Sequence, residues 1–435
     1  MPTIPGPVPR MGNLLVTALQ PSTRRDPLQI LSVLARRKGD CFVYASGQPQ
    51  SFLVNRPEYV RHVLVDRHAS YSKDTPINAG FDATIASALL TSEGEVWRRQ
   101  RSVMQPYFAR RRVPAFADAV NEIFDGMSGD WDDAAATGEP IDFSFAMSQF
   151  TFRVTAKALF SADTSAWDGR LVHILTDALP VLTDLSAEPF LLAQVVLHEL
   201  TSGLVTERLG APVFDDLFGA LRASGTDDGS ERGLLDHVKT MLLAGYETTA
   251  SVITWASYLL ATNAQVHDEL LAQIDAVAGD EPLTREQLPG LPYLLAVVRE
   301  TMRLYPPAWI IGRRALEADR IGDTEIPAQS VVAISPYTLH RHPKYWNDPD
   351  TFDPSRFLDA EEAERGHAAY TYIPFGAGPR TCIGSNLALV EAPLVIGRLL
   401  QRYAMECVNE RPVQPRGIFV LVPDAPIRMR LTRRI

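Results

Sequence analysis

Apolar residues recur three and four positions apart along most of this chain, which is the spacing of one face of a helix. The stretch from Asp26 to Lys38 shows this pattern first and predicts an amphipathic helix. The apolar stretch from Leu234 to Thr262 predicts one long helix. The same period predicts further helices at Pro57–Val65, Glu95–Tyr107, Val113–Ala134, Ser144–Phe160, Val266–Val277, Tyr293–Tyr305 and Ile383–Tyr403.

Short runs rich in β-branched and aromatic residues interrupt the helical pattern. Cys41 to Ala45 and Phe52 to Val54 flank a Gly-Gln-Pro turn, so we predict a hairpin-like pair of strands there. We also predict that Gly417 to Val422 and Pro426 to Leu431 form a hairpin near the end of the sequence. Two further β-rich runs are Trp309–Ala315 and Val331–Ser335.

Composition narrows the class of protein. With 435 residues, the chain exceeds the size at which a single core normally stops growing, which allows one large domain or two. The fractions of hydrophobic (46%) and charged (22%) residues are those of an ordinary soluble globular protein. A net charge of −10 argues against nucleic-acid binding. Only three cysteines are present, which excludes a disulfide framework and fits a reducing, cytoplasmic location.

Nothing in the sequence predicts a membrane anchor. No apolar run approaches the roughly 18 residues that a spanning helix needs. Met1 to Arg10 is proline-rich and does not resemble a secretory signal, and Leu14 to Leu19 is too short for an anchor. We therefore expect a protein that does not bind membranes.

The most informative motif runs from Tyr372 to Gly384, where a glycine-rich loop places Cys382 just before a predicted helix. Gly376 and Gly378 permit unusual backbone angles and the close approach of a flat ligand. Backbone N–H groups at the start of the helix favour negative charge and lower the pKa of a thiol. Arg380 is suited to neutralise a carboxylate of the ligand. The motif indicates a metal-bound thiolate; the alternative is a buried structural cysteine.

A second motif, Ala244-Gly245-Tyr246-Glu247-Thr248-Thr249, lies within the long predicted helix. Gly245 weakens the helix by about 1 kcal/mol relative to Ala. Two explanations for a glycine at this position remain open: it leaves space for a small ligand, or it allows a second helix to pack closely. Glu247 is an ionisable group in an apolar stretch, where burial would raise its pKa.

Three weaker signals depend on context. Trp97 and Arg101 lie four residues apart, and therefore on one face of a predicted helix. This helix is basic, and the alternative interpretation is that its charged residues are only solvated. Glu300 and Arg303 form an i,i+3 pair of a kind that many helices contain. Leu339 to Pro343 holds two histidines, and we interpret it as a surface loop rather than as a metal site.

The loop around Cys382 resembles the haem-binding signature of the cytochrome P-450 family, and the other motifs extend the resemblance over nearly the whole chain. The resemblance implies a mainly α fold with a small β region, in which residues 1–435 form a single large domain around haem b. Residues 1–20 would be an extended N-terminal segment. Without a membrane anchor, the chain would resemble the soluble bacterial members of the family.

The resemblance also assigns roles to residues. Cys382 would be the axial ligand of the haem iron. Glu247 and Thr248 would be catalytic, with Thr248 donating a hydrogen bond on the oxygen side and Glu247 relaying protons. Glu300, Arg303 and Arg356 would form a structural ion network. Haem binding would further involve Trp97, Arg101, Arg314 and Arg380 at the propionates, Phe375 and Gly376 in the loop, and Ala244 and Gly245 on the oxygen side.

The activity implied is that of a monooxygenase, which inserts one oxygen atom from O2 into a substrate. Two alternatives are a haem-thiolate peroxygenase or isomerase that needs no external electrons, and a non-catalytic haem-binding module. The substrate would be a sizeable apolar small molecule, because the pocket stretches that the resemblance implies are mostly apolar. Electrons would come from a ferredoxin and a ferredoxin reductase. We expect this donor to dock on a positive surface formed by Arg98, Arg99, Arg110–Arg112, Arg398 and Arg402.

Overall fold

Helices form most of the protein. The structure is a computed structural model and describes residues 27–47, 49–76, 78, 88–164, 188–225, 230–358 and 370–434. Its α-helices are α1 (Pro27–Lys38), α2 (Pro57–Arg61), α3 (Gly94–Met104), α4 (Val113–Thr137), α5 (Phe143–Phe160), α6 (Glu188–Gly210), α7 (Leu217–Ser224), α8 (Glu231–Thr262), α9 (Ala264–Ala278), α10 (Pro292–Leu304), α11 (Pro336–Leu339) and α12 (Ser385–Arg402).

The strands are short. They are β1 (Cys41–Ala45), β2 (Ser51–Val54), β3 (Tyr71–Ser72), β4 (Ile141–Asp142), β5 (Ile311–Ala315), β6 (Asp319–Ile321), β7 (Thr324–Ile326), β8 (Val331–Ile334), β9 (Tyr403–Cys407), β10 (Pro415–Gly417), β11 (Leu421–Pro423) and β12 (Arg428–Arg433). The mainly α prediction with a small β region is therefore confirmed. The extended segment predicted for residues 1–20 lies outside the described residues.

Helix α8 is the long helix predicted from the apolar stretch, and most of its residues are buried. Its N-terminus is capped by Ser230, whose side chain accepts a hydrogen bond from the backbone N–H of Gly233. The helix packs against α5, α6, α10 and α12. Because it has neighbours on several sides, its apolar residues are not confined to one face.

A five-stranded sheet has the strand order β1-β2-β8-β5-β3. The predicted pairing of the first two strands is confirmed, with Cys41 opposite Val54 in antiparallel register. Strand β8 lies parallel to β2 and antiparallel to β5, and its four residues are all buried. The sheet thereby fixes β5, which carries two consecutive arginines, Arg313 and Arg314.

The hairpin predicted near the end of the sequence is wrong. The chain reverses inside its first predicted strand, where Gly417 of β10 pairs with Leu421 of β11. Strand β12 pairs instead with β9 and with β4, so that Met429 lies opposite both Cys407 and Ile141. The local pattern predicts a strand but not its partner, and here one partner lies far earlier in the chain.

None of the helices that the structure describes is long and apolar enough to cross a membrane.

Candidate active site

The loop before α12 has the backbone geometry that its glycines predict. Gly376 and Gly378 have φ angles of +72° and +71°, which side chains other than glycine rarely adopt. A Cβ atom on Gly378 would also overlap the backbone carbonyl of Leu64. The loop closes through a hydrogen bond from the backbone N–H of Cys382 to the carbonyl oxygen of Phe375, at 2.9 Å. These constraints place Cys382 immediately before the first turn of α12.

The sulfur of Cys382 faces the start of α12. Burial raises the pKa of this thiol above its ordinary value, whereas hydrogen bonds from the N–H groups of Gly384 and Ser385 and the charge of Arg101 lower it. The lowered thiol pKa expected from the sequence is therefore only one contribution, and desolvation by the surrounding protein outweighs it. Cys382 nevertheless retains accessible surface, so protein atoms do not cover it completely.

Three arginines gather beside this loop. Arg101 of α3 donates a hydrogen bond to the carbonyl oxygen of Thr381 (2.9 Å). Arg380 is bound to Glu93 (2.7 Å), and its guanidinium lies 4.1 Å from the centre of the Trp97 ring. The structure thus brings the predicted residues Trp97, Arg101 and Arg380 together.

The third arginine is Arg313 rather than the predicted Arg314. Arg313 is 9% exposed, and burial together with the charge of Arg380 lowers its pKa to about 10. Arg314 is bound to Asp74 and to the carbonyl oxygen of Gln329 (3.4 Å). Successive side chains of a strand point to opposite faces, so only one of two adjacent arginines can join the cluster. The structure therefore does not bring the predicted residue Arg314 into this cluster.

This cluster is electrostatically suited to an anionic ligand. Within the part of the chain that the structure describes, Glu93 is the carboxylate that pairs with Arg380, and its charge also acts on Arg313. The Nη1 atom of Arg380 is buried and has no hydrogen-bond partner there. Buried donors of this kind are normally satisfied. The two carboxylates of a haem, beside a cysteine thiol and a glycine loop, fit these groups.

Gly245 allows α8 and α5 to approach closely. A Cβ atom at this position would lie 2.8 Å from Cγ2 and 3.0 Å from Oγ1 of Thr155 on α5. Of the two explanations left open by the sequence, close helix packing is therefore the one observed. The neighbouring Ala244 is exposed, and Gly245 and Thr248 beside it are half-buried although most of α8 is buried, so Ala244 borders an accessible space.

Glu247 and Thr248 are adjacent in sequence but have different partners. Glu247 is 4% exposed; burial raises its pKa to about 8, although a hydrogen bond from Ser148 of α5 lowers it. Its Oε2 atom has no partner among the described residues. The hydroxyl of Thr248 donates to the carbonyl oxygen of Ala244 (2.7 Å). The two side chains are therefore not hydrogen-bonded to each other in this structure.

The predicted ion network is present. Arg303 binds both carboxylate oxygens of Glu300, at 2.6 and 2.8 Å, and both side chains have no exposed surface. Arg356 lies 3.5 Å from the same carboxylate. Arg303 also donates to the carbonyl oxygen of His340 (2.9 Å). The network therefore joins α10 to the segments that follow it.

His340 corrects another prediction, because it is not part of a surface loop. The residue has no exposed surface, and burial lowers its pKa to about 3, so the ring is neutral. Its Nε2 atom accepts a hydrogen bond from the backbone N–H of Ile373 (2.9 Å). His340 thereby connects the ion network to the segment that enters the cysteine loop, a role without a local sequence signal.

The resemblance implies a substrate pocket lined by Ile77–Leu90, Leu179–Leu197, Met241–Thr248, Ala308–Ile311 and Ile418–Leu421. Two of these stretches, Ala308–Ile311 and Ile418–Leu421, are joined by a hydrogen bond. The indole N–H of Trp309 donates to the carbonyl oxygen of Ile418 (2.7 Å), and Leu421 N–H donates to Pro307 (3.0 Å). Ser251 of α8 donates to the carbonyl oxygen of Leu421 (2.7 Å). These bonds hold both loops against α8. The predicted wall also includes residues 77, 79–87 and 179–187, which lie outside the described residues.

A cysteine loop at the start of a helix, an arginine cluster suited to two carboxylates, and a long central helix define a haem-thiolate class of protein. The family model for Cytochrome P-450 matches residues 2–200 and 216–431. The chain therefore belongs to the cytochrome P-450 family, whose members bind haem and use O2 together with a source of electrons.

Individual relatives agree with this family. The chain is 33% identical to cyclooctatin synthase of Streptomyces melanosporofaciens, over 98% of this chain and 94% of the relative. It is 31% identical to cyclooctat-9-en-7-ol 5-monooxygenase of the same organism, over 93% and 90% of the two chains. It is 28% identical to pentalenene oxygenase of Streptomyces avermitilis, over 99% and 97%. All three relatives come from Streptomyces, and two of them are named as a monooxygenase and an oxygenase.

Proposed function

We propose that this protein is a cytoplasmic monooxygenase that inserts one oxygen atom from O2 into a terpenoid or a similarly large apolar molecule. The observation that carries the proposal is the constrained loop that presents Cys382 beside the arginine cluster. Cys382 would be the axial ligand of haem b. Arg101, Arg313 and Arg380 would bind its carboxylates, with Trp97 holding the Arg380 guanidinium in place.

The haem, when bound, supplies the chemistry of O2 activation, in which a thiolate ligand favours O–O cleavage. The residues of this chain control its surroundings. The N–H groups of Gly384 and Ser385 would moderate the charge of the thiolate. Thr248 has a hydroxyl that can exchange its bond to Ala244 for one to a ligand. Glu247 would relay protons from solvent.

The substrate class is supported by two independent lines. The names of the relatives refer to pentalenene and to cyclooctat-9-en-7-ol. The described parts of the predicted pocket wall, such as Ala244, Ile310 and Ile311, offer mainly apolar surface. A pocket of this kind suits a hydrocarbon skeleton with few polar groups.

The role of Cys382 is tested by the spectrum of the reduced protein with bound carbon monoxide. We expect the absorption band that is characteristic of thiolate-ligated haem. Cys382→His should abolish this band, whereas the control Cys407→Ala should retain it. A wild-type spectrum typical of histidine-ligated haem would exclude the assignment.

The monooxygenase activity is tested with purified ferredoxin, ferredoxin reductase and NADPH on a panel of cyclic terpenes and terpene alcohols. We expect oxygenated products whose formation needs both O2 and NADPH. Thr248→Ala should keep substrate binding but release peroxide in place of product. Product formation from peroxide alone would instead indicate a peroxygenase. Haem binding without any turnover would indicate a non-catalytic module.

A further inference from the structure

Glu93 is the residue immediately before α3, and its side chain makes no capping bond to that helix. One carboxylate oxygen, Oε1, accepts a hydrogen bond from the backbone N–H of Lys73 (2.6 Å), 20 positions earlier in the chain. The other oxygen, Oε2, binds the guanidinium of Arg380 (2.7 Å), 287 positions later. The carboxylate is therefore directed away from its own helix and joins two distant segments.

The two ends of one predicted pocket stretch, residues 77–90, are held at Lys73. The ammonium group of Lys73 donates to the carbonyl oxygen of Leu90, the last residue of the stretch. The backbone carbonyl of Lys73 accepts a hydrogen bond from the side chain of Asn78. Its backbone N–H is the group bound by Glu93. The position of Lys73 thus fixes both ends of the stretch relative to Glu93.

Arg314 supplies a second anchor for the same segment. Its guanidinium donates to the backbone carbonyl of Asp74 and lies 3.3 Å from the carboxylate of that residue. This anchor holds the segment against β5 and does not involve the cysteine loop. Glu93 adds the link from the segment to the cysteine loop.

Arg380 is able to serve two partners at once. Its Nη2 atom binds Glu93, whereas its Nη1 atom is buried and has no hydrogen-bond partner among the described residues. The guanidinium lies 4.1 Å from the centre of the Trp97 ring. A guanidinium donates through a rigid planar fork. The Nη1 donor is therefore available for a haem carboxylate while Nη2 stays on Glu93.

We propose that Glu93 is a positioning residue that links the wall of the substrate pocket to the haem-binding cluster. By sharing Arg380 with a haem carboxylate, it fixes Lys73 and the ends of the stretch at residues 77–90, and so restricts which ligands the pocket accepts. The inference rests on the proposed function, in which Arg380 binds haem and this stretch lines the pocket. Glu93 does not contact the reacting atoms and acts through Lys73 and Arg380.

The first test measures hydrogen–deuterium exchange in the ferric holoprotein, resolved to the backbone amide of Lys73 by fragmentation in the mass spectrometer. Glu93→Ala removes the acceptor of this amide. We expect its exchange to become about fivefold faster, which corresponds to one hydrogen bond of ordinary net strength. Glu95→Ala is the matched control, because Glu95 lies in the first turn of α3 and its side chain is 88% exposed. It should leave the exchange of Lys73 unchanged.

Arg380→Met tests whether Glu93 transmits the state of Arg380. This variant removes the guanidinium that holds Oε2 but keeps the acceptor of Lys73. A carboxylate without this partner turns more freely to solvent, so exchange of Lys73 should rise about twofold in the wild-type background and not at all in Glu93→Ala. If Arg380→Met does not yield holoprotein, Arg380→Gln carries the same comparison. An unchanged rate in the Arg380 variant, or equal acceleration in both backgrounds, overturns the inference.

The effect on ligand selection is measured by spectral titration with two azoles of different size, imidazole and clotrimazole. Clotrimazole carries three aryl rings that extend to the pocket wall, whereas imidazole does not. In Glu93→Ala the Kd of clotrimazole should rise about fivefold, because a less constrained wall has to be ordered on binding. The Kd of imidazole should stay at the wild-type value. Equal changes for both azoles would mean that Glu93 acts on the haem and not on the wall, and would also overturn the inference.

These outcomes are distinguishable from a failure of the proposed function. The carbon monoxide spectrum of the wild type decides the thiolate ligation, whereas the exchange of Lys73 is measured without turnover. A thiolate spectrum together with unchanged exchange in Glu93→Ala would keep the proposed function and overturn the inference. A histidine-type spectrum would exclude the role of Cys382, and the exchange of Lys73 would still decide the link to Arg380.

Discussion

Two buried carboxyl groups show how a single residue can make the stability of the protein depend on pH. The Oε2 atom of Glu247 and the Oε1 atom of Glu391 on α12 are both buried, and neither has a hydrogen-bond partner among the residues described. Glu391 is 3% exposed, and burial raises its pKa to about 8.

Glu391→Gln should make the stability of the protein less dependent on pH. From about pH 5 to pH 8 the folded protein keeps a proton on Glu391 that the unfolded chain releases, so the stability of the wild type falls as pH rises. Glutamine stays neutral in both states. The variant should therefore gain on the order of 3–5 kcal/mol relative to the wild type over this range. Thermal unfolding at a fixed scan rate across this pH range measures the difference.

Glu410→Gln is the control for this prediction, because Glu410 is exposed. It should leave the pH dependence of the melting temperature as it is in the wild type. A Glu391→Gln protein whose melting temperature follows the wild-type curve would show that the carboxyl has a partner in solution.

At the scale of elements, the contact between α5 and α8 is set by one missing side chain. Gly245→Ala would gain about 1 kcal/mol in helix propensity. It would also force a methyl group against Thr155, and overpacking of this kind costs about 1–3 kcal/mol. We expect a net loss of stability. Thr155→Ala removes the opposing atoms, so the double variant should be more stable than Gly245→Ala alone.

A double-mutant cycle of unfolding free energies measures this coupling. Gly126→Ala on α4 is the matched control, since nothing lies within 4 Å of a Cβ atom there. It should be neutral or stabilising. Additive effects of Gly245→Ala and Thr155→Ala would mean that α5 and α8 can move apart without a loss of unfolding free energy.

The ion network acts between elements rather than within α10. Glu300→Ala would leave the buried Arg303 guanidinium without the Glu300 carboxylate, beside backbone carbonyls and the Trp346 ring. Loss of one partner of a buried pair costs about 3–5 kcal/mol. Because His340 links this network to Ile373, we expect the cysteine loop to lose its position and the protein to take up less haem. The ratio of haem to protein after purification and the melting temperature measure both effects.

Glu286→Ala tests whether the effect is specific to burial. This residue is paired with Arg285, but its side chain is 67% exposed, and exposed pairs contribute little. Its haem content and melting temperature should match the wild type. A Glu300→Ala protein that is equally stable and haem-replete would show that the network is dispensable.

At the scale of the whole molecule, the structure reduces the positive surface proposed for an electron donor. Arg398 is 6% exposed and is bound to Asp125 (2.6 Å), and Arg402 is paired with Asp132. Arg112 is paired with Asp215 (2.7 Å). These three arginines form ion pairs within the protein, so their charges are not free to bind a partner. Among the predicted cations, Arg98 is paired with Glu95, and Arg99 binds backbone carbonyls of residues 224 and 225.

Arg110 and Arg111 remain available for docking, because both are exposed and neither has a bonding partner in the described chain. They follow Phe108, whose carbonyl oxygen accepts a hydrogen bond from Asn386 (3.3 Å), four residues after Cys382. Reversal of both to Glu should slow the first electron transfer from ferredoxin about tenfold at low salt. It should also weaken the dependence of the rate on ionic strength.

Stopped-flow reduction at several salt concentrations provides the measurement. The control reverses Arg36 and Arg37, an exposed pair at the end of α1, and should leave the rate unchanged. Equal rates in the Arg110/Arg111 variant and the wild type would place the docking surface elsewhere.

The sequence by itself determined the features that are local. Helical spacing predicted α1 and α8 because each helix repeats its pattern over several turns. The glycines and Cys382 identified the cysteine loop because unusual φ angles restrict residue type within a few positions. The pair Glu300 and Arg303 was recognisable since both lie on one turn of a helix.

Only the tertiary structure decided which distant groups meet. Arg313 and Arg314 are equivalent in sequence, and the pleat of β5 together with its place in the sheet selects Arg313. The partner of β12, the burial of His340 and the contact between Thr155 and Gly245 depend on segments that are far apart in the chain. Such contacts have no local period, because they follow from how whole elements pack and not from the pattern within any one of them.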